Sequence, residues 1–337
     1  MESRPTSTQR RLGPYSVSAI GFGCMNLSHA YGPPLPLPAA EAVLRRALEL
    51  GVTHFDTAAL YGFGANEELV GRVLRSRSAE VFIATKCGVA GRDGKRVIDG
   101  SPAAIRVNCE DSLRRLQVDA IDLYYLHRLD KSVPVEDSIG AMAELVRAGK
   151  VRAIGLSEVS AQTLKRAQSV HSIAAVQSEY SLMTRNPELG VLERCRASGV
   201  SFVAFSPLGR GFLSGAMPDP GQFAAGDIRR GMPRFAAPHV QANRAVIAPL
   251  REIADQYACT VAQVALAWLL AKEENLVAIP GTTQIKHLEE NLGAAAIVLD
   301  SATLSRLDKA INQYTVSGPR YPASTQPDID TEEFTSG

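Results

Sequence analysis

The chain has 337 residues, with 36 lysines and arginines against 35 aspartates and glutamates, and 45% of its residues are hydrophobic. A chain of roughly 300 residues buries about 75% of the surface that its unfolded form exposes, which allows a large core. The net charge of +1 argues against a polyanion partner and predicts no nucleic-acid binding.

No segment has the pattern of a membrane span or an export signal. The longest mostly apolar stretch, 261–271, is too short to cross a bilayer, and the N-terminus lacks the apolar core of a secretory signal. Cysteines 24, 87, 109, 195 and 259 never show C-x-x-C spacing, which is typical of free thiols in a reducing compartment and predicts no metal site. We therefore expect a cytoplasmic protein.

Eight short apolar runs predict buried parallel strands. They lie at about 19–23, 53–55, 81–85, 121–126, 152–156, 174–177, 201–205 and 276–279. Helical patterns separate the runs, and Ser101, Ser160 and Thr260 are candidates to cap three of the helices. Eight strands that alternate with helices predict a (β/α)8 TIM barrel of the α/β class. An open doubly wound sheet has the same alternation and remains an alternative.

The predicted domain organisation is a single barrel with short additions at both ends. We expect an N-terminal extension over 1–11, the barrel over 12–316 and a polar, poorly ordered C-terminal tail over 317–337. Segment 207–239, after the seventh strand, is rich in Gly, Pro and Arg and has no periodicity. A loop of this length is usually functional or mobile, and in a barrel it would overhang the active face.

Three consecutive predicted strands end in polar residues: Asp56, Lys86 and His127. Tyr61 follows Asp56 by five residues, in a loop before the next helix. Because reactive groups of TIM barrels sit at the C-terminal ends of the strands, we expect these side chains to converge. A lysine cation lowers the pKa of a nearby phenol, which makes the phenol a better proton donor near neutral pH. Such a phenol would protonate the carbonyl oxygen, which becomes negative when hydride adds to the carbonyl carbon. His127 would donate a second hydrogen bond to that oxygen.

Each of these residues also has a purely structural interpretation. Asp56 and Lys86 would form an ordinary ion pair, Tyr61 would be a loop tyrosine, and His127 would be a core histidine. Their joint occurrence at neighbouring strand ends is what favours catalysis. The common nucleotide motifs are absent, but the glycines of 209–211 follow the seventh strand, where barrels often bind phosphate.

Several motifs together resemble the aldo-keto reductase superfamily, from about Leu12 to Asp308: DTAALYG, FIATKCG, YYLHR, GLSE, QSEY, FSPLGRG and IPGTTQIKHLEEN. GCMNLSHAYG and SPLGRGFLSG further resemble the microbial branch with pyridoxal reductases and related carbonyl reductases. The resemblance implies a barrel that binds NADPH in extended form and passes hydride to an aldehyde or ketone. It also implies that Tyr61 is the general acid, that Lys86 with Asp56 tunes it, and that His127 orients the carbonyl.

The resemblance assigns cofactor contacts position by position. Those near the nicotinamide and its ribose would be Gly23, Cys24, Met25, Asp56, Ser157, Gln177 and Phe205. Those that clasp the pyrophosphate would be Ser206, Pro207, Leu208, Gly209, Arg210 and Gly211. Those at the adenosine end would be Gly281, Thr282, Thr283, Gln284, His287, Glu290 and Asn291.

Three positions depart from the pattern of the superfamily. Glu158 replaces a common asparagine and would bring a charge near the carboxamide, so it also counts as a cofactor contact. Gly281 and His287 stand where many relatives place Lys and Arg against the adenosine 2′-phosphate, and a mostly neutral imidazole does not replace arginine's bidentate fork. NADPH, or NADP+ in the reverse direction, is still the expected cofactor, and use of NADH is open.

Two other functions remain as alternatives. One is a non-catalytic subunit of the same fold that binds or senses NADP(H). The other is a lyase that uses Lys86 to form a Schiff base, although Asp56 would keep that amine charged. The expected partner is a small carbonyl substrate. The sequence leaves its identity and the choice between monomer and homo-oligomer open.

Overall fold

The computed structural model describes residues 8–28, 30–92, 95–215 and 219–334. Its strands are β1 (Gln9–Leu12), β2 (Tyr15–Ser18), β3 (Phe22–Gly23), β4 (His54–Asp56), β5 (Phe82–Cys87), β6 (Val89–Arg92), β7 (Lys95–Ile98), β8 (Leu123–Leu126), β9 (Ile154–Ser157), β10 (Ala175–Glu179), β11 (Ser201–Phe205) and β12 (Leu276–Ala278). Its α-helices are α1 (Leu37–Glu49), α2 (Ala65–Leu74), α3 (Pro102–Leu116), α4 (Val135–Arg147), α5 (Ala161–Gln168), α6 (Val191–Ser198), α7 (His239–Ala245), α8 (Ala248–Gln256), α9 (Val261–Leu270), α10 (Ile285–Gly293) and α11 (Ser301–Ala310).

Eight parallel strands form a closed barrel. Neighbours follow the order β12-β11-β10-β9-β8-β5-β4-β3. The two end strands meet through a parallel bridge between Ile20 and Ala278, where the Gly21 N–H donates to the Ala278 carbonyl at 2.8 Å. The predicted (β/α)8 barrel is confirmed, and the open sheet is excluded because both edges are paired.

The first strand is shorter than the sequence predicts. Only Phe22–Gly23 forms β3, because residues 19–21 contact β12 through an isolated bridge rather than a continuous ladder. The other seven strands begin and end within two residues of their predicted bounds. The helix caps are confirmed as well: Ser101, Ser160 and Thr260 each accept a hydrogen bond from the backbone N–H three residues later.

A hairpin of β1 and β2 covers the N-terminal end of the barrel. Leu12 and Val17 are fully buried among the side chains that fill the barrel interior. The Arg11 carbonyl accepts a hydrogen bond at 3.1 Å from Ser201, the first residue of β11. Residues 9–11, which the sequence predicts as an extension, therefore help to close this end, and any site must open at the opposite one.

The predicted loop 207–239 contains short 3-10 helices rather than an irregular chain: Gly209–Ser214, Pro220–Gln222, Ile228–Gly231 and Pro233–Phe235. Phe235 packs between two other aromatic residues of the loop: its ring centroid lies 4.7 Å from that of Phe212 and 5.8 Å from that of Phe223. The guanidinium of Arg229 stacks over Phe223 at 4.1 Å. These aromatic contacts give the described part of the loop a small core of its own, which its sequence does not reveal by periodicity.

The C-terminal tail packs against the barrel over its described residues, 317–334. Arg320, Ile329 and Thr331 are each less than 9% exposed. The prediction of a poorly ordered tail is therefore wrong there, because specific polar contacts with the barrel hold a segment that lacks a hydrophobic pattern. Its last residues, 335–337, lie outside the described part.

The apolar helix α9 is buried on most of its faces. Trp268 is fully buried, and its indole N–H donates to Asp308 at 3.0 Å. Within the described ranges no single helix is long and apolar enough to span a membrane, although the bent pair His239–Gln256 and Val261–Leu270 passes that test jointly by length and composition.

Shortening Leu12 should destabilise the fold. Leu12→Ala removes buried methyl groups from the closed end of the barrel, so we expect the free energy of unfolding to fall by about 2–5 kcal/mol in urea denaturation. Leu37→Ala is the control, because Leu37 is 45% exposed, and its effect should stay within about 0.5 kcal/mol. Equal small effects would contradict a closing role for the hairpin.

His54 places a titratable group inside the barrel. Both ring nitrogens are buried without a hydrogen-bond partner among the described residues, and the ring lies edge-on to Phe82 at 5.7 Å. Burial lowers the pKa of His54 to about 4, so the imidazole is neutral in the folded protein. The unfolded chain binds this proton below a pH of about 6.5, and the folded chain does not until about pH 4.

His54 should therefore weaken the fold as the pH falls through this window. For His54→Gln, which cannot take up the proton, we expect stability relative to the parent protein to rise by about 2 kcal/mol between roughly pH 7 and pH 4.5. Urea denaturation at both pH values gives this difference, and any constant effect of the substitution cancels. A difference independent of pH would contradict the neutral, buried state of His54.

Candidate active site

Four polar side chains meet at the C-terminal end of the barrel, as the sequence predicts. Asp56 ends β4, Lys86 is the second-last residue of β5, and His127 directly follows β8. These strands are neighbours in the sheet, so their ends lie side by side. Tyr61 begins a short 3-10 turn, Tyr61–Gly64, which precedes α2.

Asp56 and Lys86 form a buried ion pair at the base of this group. Their side chains are 3% and 1% exposed, and the Lys86 ammonium donates to Asp56 Oδ1. The ammonium also donates to the Thr57 carbonyl at 2.7 Å, and Asp56 Oδ2 accepts from the Gln177 amide at 2.7 Å. Each charge therefore has its hydrogen bonds satisfied, which is the condition for tolerating a buried pair.

The same lysine reaches the hydroxyl of Tyr61. Lys86 Nζ donates to Tyr61 Oη at 3.3 Å and lies 5.0 Å from the centroid of the Tyr61 ring. Burial is the largest single influence and opposes the charge on Lys86, but Asp56 and Tyr61 together outweigh it and raise the pKa of the ammonium. Lys86 is thus a permanent cation beside the phenol.

The effect on Tyr61 differs from the sequence-based expectation. Burial raises the pKa of the Tyr61 hydroxyl, and this outweighs the opposing influence of Lys86. A net lowering was expected because the sequence shows the lysine but not the depth of burial. Tyr61 is therefore protonated at neutral pH and can donate its proton.

His127 completes the group. Its ring stands edge-on to Tyr61, with centroids 5.9 Å apart and planes at 88°. Its backbone N–H donates to the Cys87 carbonyl at 2.9 Å. This bond continues the ladder between β5 and β8 and fixes the backbone that carries the imidazole. The Tyr61 phenol and the His127 imidazole thus lie next to each other at the mouth of the barrel.

A pocket of about 770 Å³ opens at this mouth, and Tyr61 and His127 line it. Its wall includes most of the predicted cofactor contacts: Gly23, Met25, Asp56, Ser157, Gln177, Phe205, Ser206, Pro207, Leu208, Arg210, Gly211, Gly281, Thr282, Thr283, Gln284, His287, Glu290 and Asn291. The structure thus brings residues from distant parts of the chain to one cavity.

Three predicted contacts do not reach the pocket. Cys24 is fully buried, with its sulfur 3.7 Å from the Phe22 carbonyl. Gly209 borders a separate small cavity beside Met183. The side chain of Glu158 turns away into the protein, so it brings no charge to the pocket, contrary to the expectation from the sequence.

Glu158 instead holds the C-terminal tail. Its Oε2 accepts from Arg320 at 2.5 Å and from Thr331 at 3.0 Å, and its backbone carbonyl accepts from the Asp330 N–H at 3.0 Å. Asp330 in turn accepts from the N–H of Ser160, the cap of α5. The tail is therefore tied to the end of β9 by charged and backbone contacts.

Arg210, which the sequence predicts as a pyrophosphate contact, lines the pocket and also forms an ion pair within the protein. Its guanidinium pairs with buried Glu179 at 2.7 Å and donates to Tyr321 at 2.9 Å. Burial would raise the pKa of the Glu179 carboxyl, but Arg210 and the nearby Arg320 and Arg234 outweigh it and lower the pKa to about 2. The charge of Arg210 is thus already balanced within the protein.

The pocket borders the N-terminus of α10. Thr282, Thr283, Gln284 and His287 line it there. This helix has no side-chain cap and no acidic residue in its first turn, unlike α11, which Asp300 caps. Unsatisfied backbone N–H groups and the helix dipole make such an end suitable for an anion such as a phosphate.

Sequence reasoning missed several residues of the wall. The tail contributes Tyr321, Pro322, Thr325, Asp328 and Ile329, and no local pattern could have placed that polar segment here. Arg96 reaches the pocket from the β6–β7 hairpin, which was not predicted. Arg128 also lines the pocket, and a signal for it existed, because it directly follows His127 at a strand end.

Comparisons with known proteins establish the family of the chain. Residues 19–312 match the aldo/keto reductase family, and the chain belongs to that family. It is 43% identical over 320 residues to an aldo-keto reductase of Schizosaccharomyces pombe whose name specifies NADP(+), covering 93% of this chain and 94% of that protein. It is equally 43% identical over 314 residues to a probable aldo-keto reductase of Glycine max, covering 91% and 89% of the two chains.

Solved structures are similar over nearly the whole chain. A glycerol dehydrogenase from Gluconobacter oxydans superposes with a TM-score of 0.83 at 26% identity, covering 98% of this chain and 99% of that one. The holo form of an aldo-keto reductase from Bacillus halodurans superposes with a TM-score of 0.76 at 29% identity, covering 91% and 97%. The resemblance inferred from the motifs is therefore confirmed.

Removing the tail's buried arginine should destabilise the protein. Arg320→Met leaves Glu158 buried without its partner, so we expect the free energy of unfolding to fall by about 3–5 kcal/mol. Arg306→Met is the control, because Arg306 and its partner Glu252 are 42% and 64% exposed, and such a pair contributes at most about 1 kcal/mol. Similar losses in both variants would contradict the anchoring role of Arg320.

Proposed function

We propose that this chain is an oxidoreductase that reduces an aldehyde or ketone with NADPH. The observation that carries the proposal is the arrangement of the Tyr61 hydroxyl beside the cationic Lys86, at the wall of a large pocket. A neutral phenol next to a fixed cation is suited to protonate an oxygen that becomes negative. Membership of the aldo/keto reductase family supports the same reaction.

The residues of the pocket fit a nicotinamide dinucleotide. The uncapped N-terminus of α10 suits a phosphate, and Phe205, the last residue of β11, lies in the wall, where its face would cover a flat ring. The name of the Schizosaccharomyces pombe relative favours NADP(H) over NAD(H). When bound, NADPH supplies the hydride that adds to the carbonyl carbon.

The chain's own residues would then handle the oxygen. Tyr61 would donate its proton to the carbonyl oxygen, and Lys86 would stabilise the phenolate left behind. Asp56 would keep Lys86 charged and in position, and the Gln177 amide would do the same for Asp56. His127 would orient the carbonyl by a hydrogen bond from its ring.

The alternatives have less support. A Schiff-base lyase needs a neutral amine, but the Asp56 carboxylate raises the pKa of Lys86, which keeps it protonated. A non-catalytic NADP(H)-binding subunit would not need the four polar groups in this arrangement. Nothing in the described residues favours that role by an observation of its own.

Removing the proposed proton donor tests the function. Tyr61→Phe should lower kcat for NADPH-dependent reduction of a reactive aldehyde by roughly 100- to 10,000-fold, because general acid catalysis is lost. Tyr314→Phe is the matched control, since Tyr314 is 87% exposed, and it should keep the parent rate. NADPH binding, followed by the fluorescence of the dinucleotide, verifies that the variant site is intact. A near-normal rate in folded Tyr61→Phe would refute the proposed chemistry.

A further inference from the structure

One cation at the mouth of the barrel is not explained by the roles above. Arg128 directly follows His127, is partly buried and lines the pocket beside Tyr61. It is close enough to Tyr61 for its charge to oppose the effect of burial on the pKa of the phenol. Arg128 therefore faces the place where a carbonyl group would be reduced.

The hydrogen bonds of Arg128 to the described residues involve Nη1 of its guanidinium. Nη1 donates to the His127 carbonyl at 2.6 Å and to Ser157 Oγ at 3.3 Å. Nε is buried and has no partner among the described residues. The contacts that exist hold the group in place, but both acceptors are neutral and do not balance its charge.

The other arginines of the pocket differ in this respect. Arg96 pairs with Asp328, Arg210 with Glu179 and Arg229 with Asp227. In the described part of the chain, by contrast, no carboxylate lies within ion-pair distance of Arg128. Asp56, at the same mouth, has its two oxygens committed to Lys86 and Gln177. A partly buried cation without a counterion is costly, and its planar fork suits an oxyanion.

We propose that the substrate carries a carboxylate close to its carbonyl group, and that Arg128 binds this carboxylate. The inference rests on the proposed function, since Tyr61 and His127 would contact the carbonyl oxygen at the same time. A phosphate of the cofactor is not the expected partner, because the uncapped N-terminus of α10 in the same pocket is suited to bind it. Arg128 thus determines specificity for anionic carbonyl compounds.

Paired aldehydes provide the test. The three carboxybenzaldehydes, with the acid in ortho, meta or para position, are compared with their neutral methyl esters in NADPH-dependent reduction. We expect the protein to prefer the acid over its ester in kcat/KM for at least one ring position. In Arg128→Met this acid-to-ester ratio should fall roughly 10- to 100-fold, because a charge-assisted hydrogen bond is lost. Arg128→Lys, which keeps the charge, should retain part of the preference.

A binding measurement complements the kinetics. Benzoate should bind the complex with NADP+ more tightly than benzamide does, and Arg128→Met should abolish the difference. If esters are reduced but the ratio is the same in the parent protein and Arg128→Met, the inference is wrong while the proposed function stands. A shift of the pH profile of kcat that is equal for acids and esters, with no change in their ratio, would also overturn it. If no aldehyde is reduced at all, the proposed function itself fails.

Discussion

The site depends on one buried ion pair, between Asp56 and Lys86. Removing two charges from water is expensive, and the pair is tolerable here because the Thr57 carbonyl and the Gln177 amide complete its hydrogen bonds. Adjacent parallel strands place both residues at the same end of the barrel. The fixed ammonium then lies 3.3 Å from the Tyr61 hydroxyl. Without this pair, the phenol would have no stabilised conjugate base.

A second charged network shapes the pocket from the other side. Glu158 and Glu179 are buried, and Arg320 and Arg210 balance them. Arg320 and Tyr321 of the C-terminal tail contact Glu158 and Arg210, and the tail supplies part of the pocket wall. These buried charges form ion pairs, so they cancel in the near-zero net charge of the chain. Among the arginines of the pocket wall, Arg128 is the one with no ion pair to the described residues, and the inferred specificity rests on it.

The sequence was sufficient for the barrel and for the strand-end residues, because helix caps, short buried strands and their polar ends are local signals. Features that depend on distant partners were not predictable. The tail has no hydrophobic pattern, and its order comes from Arg320 meeting Glu158. Arg210 was expected to face an anion, yet Glu179 neutralises it. The direction of the Tyr61 pKa shift was mistaken because burial, which dominates it, cannot be read from neighbouring residues.

The central claim is that this mouth adds hydride to a carbonyl carbon while Tyr61 protonates the oxygen. It is tested most directly by supplying NADPH deuterated at the transferable C4 position and analysing the alcohol formed from a reactive aldehyde. We predict one deuterium on the carbinol carbon, and a much smaller amount of labelled alcohol with Tyr61→Phe. An alcohol without deuterium would contradict this claim. Equal amounts of labelled alcohol formed in the same time by the parent protein and by Tyr61→Phe would also contradict it.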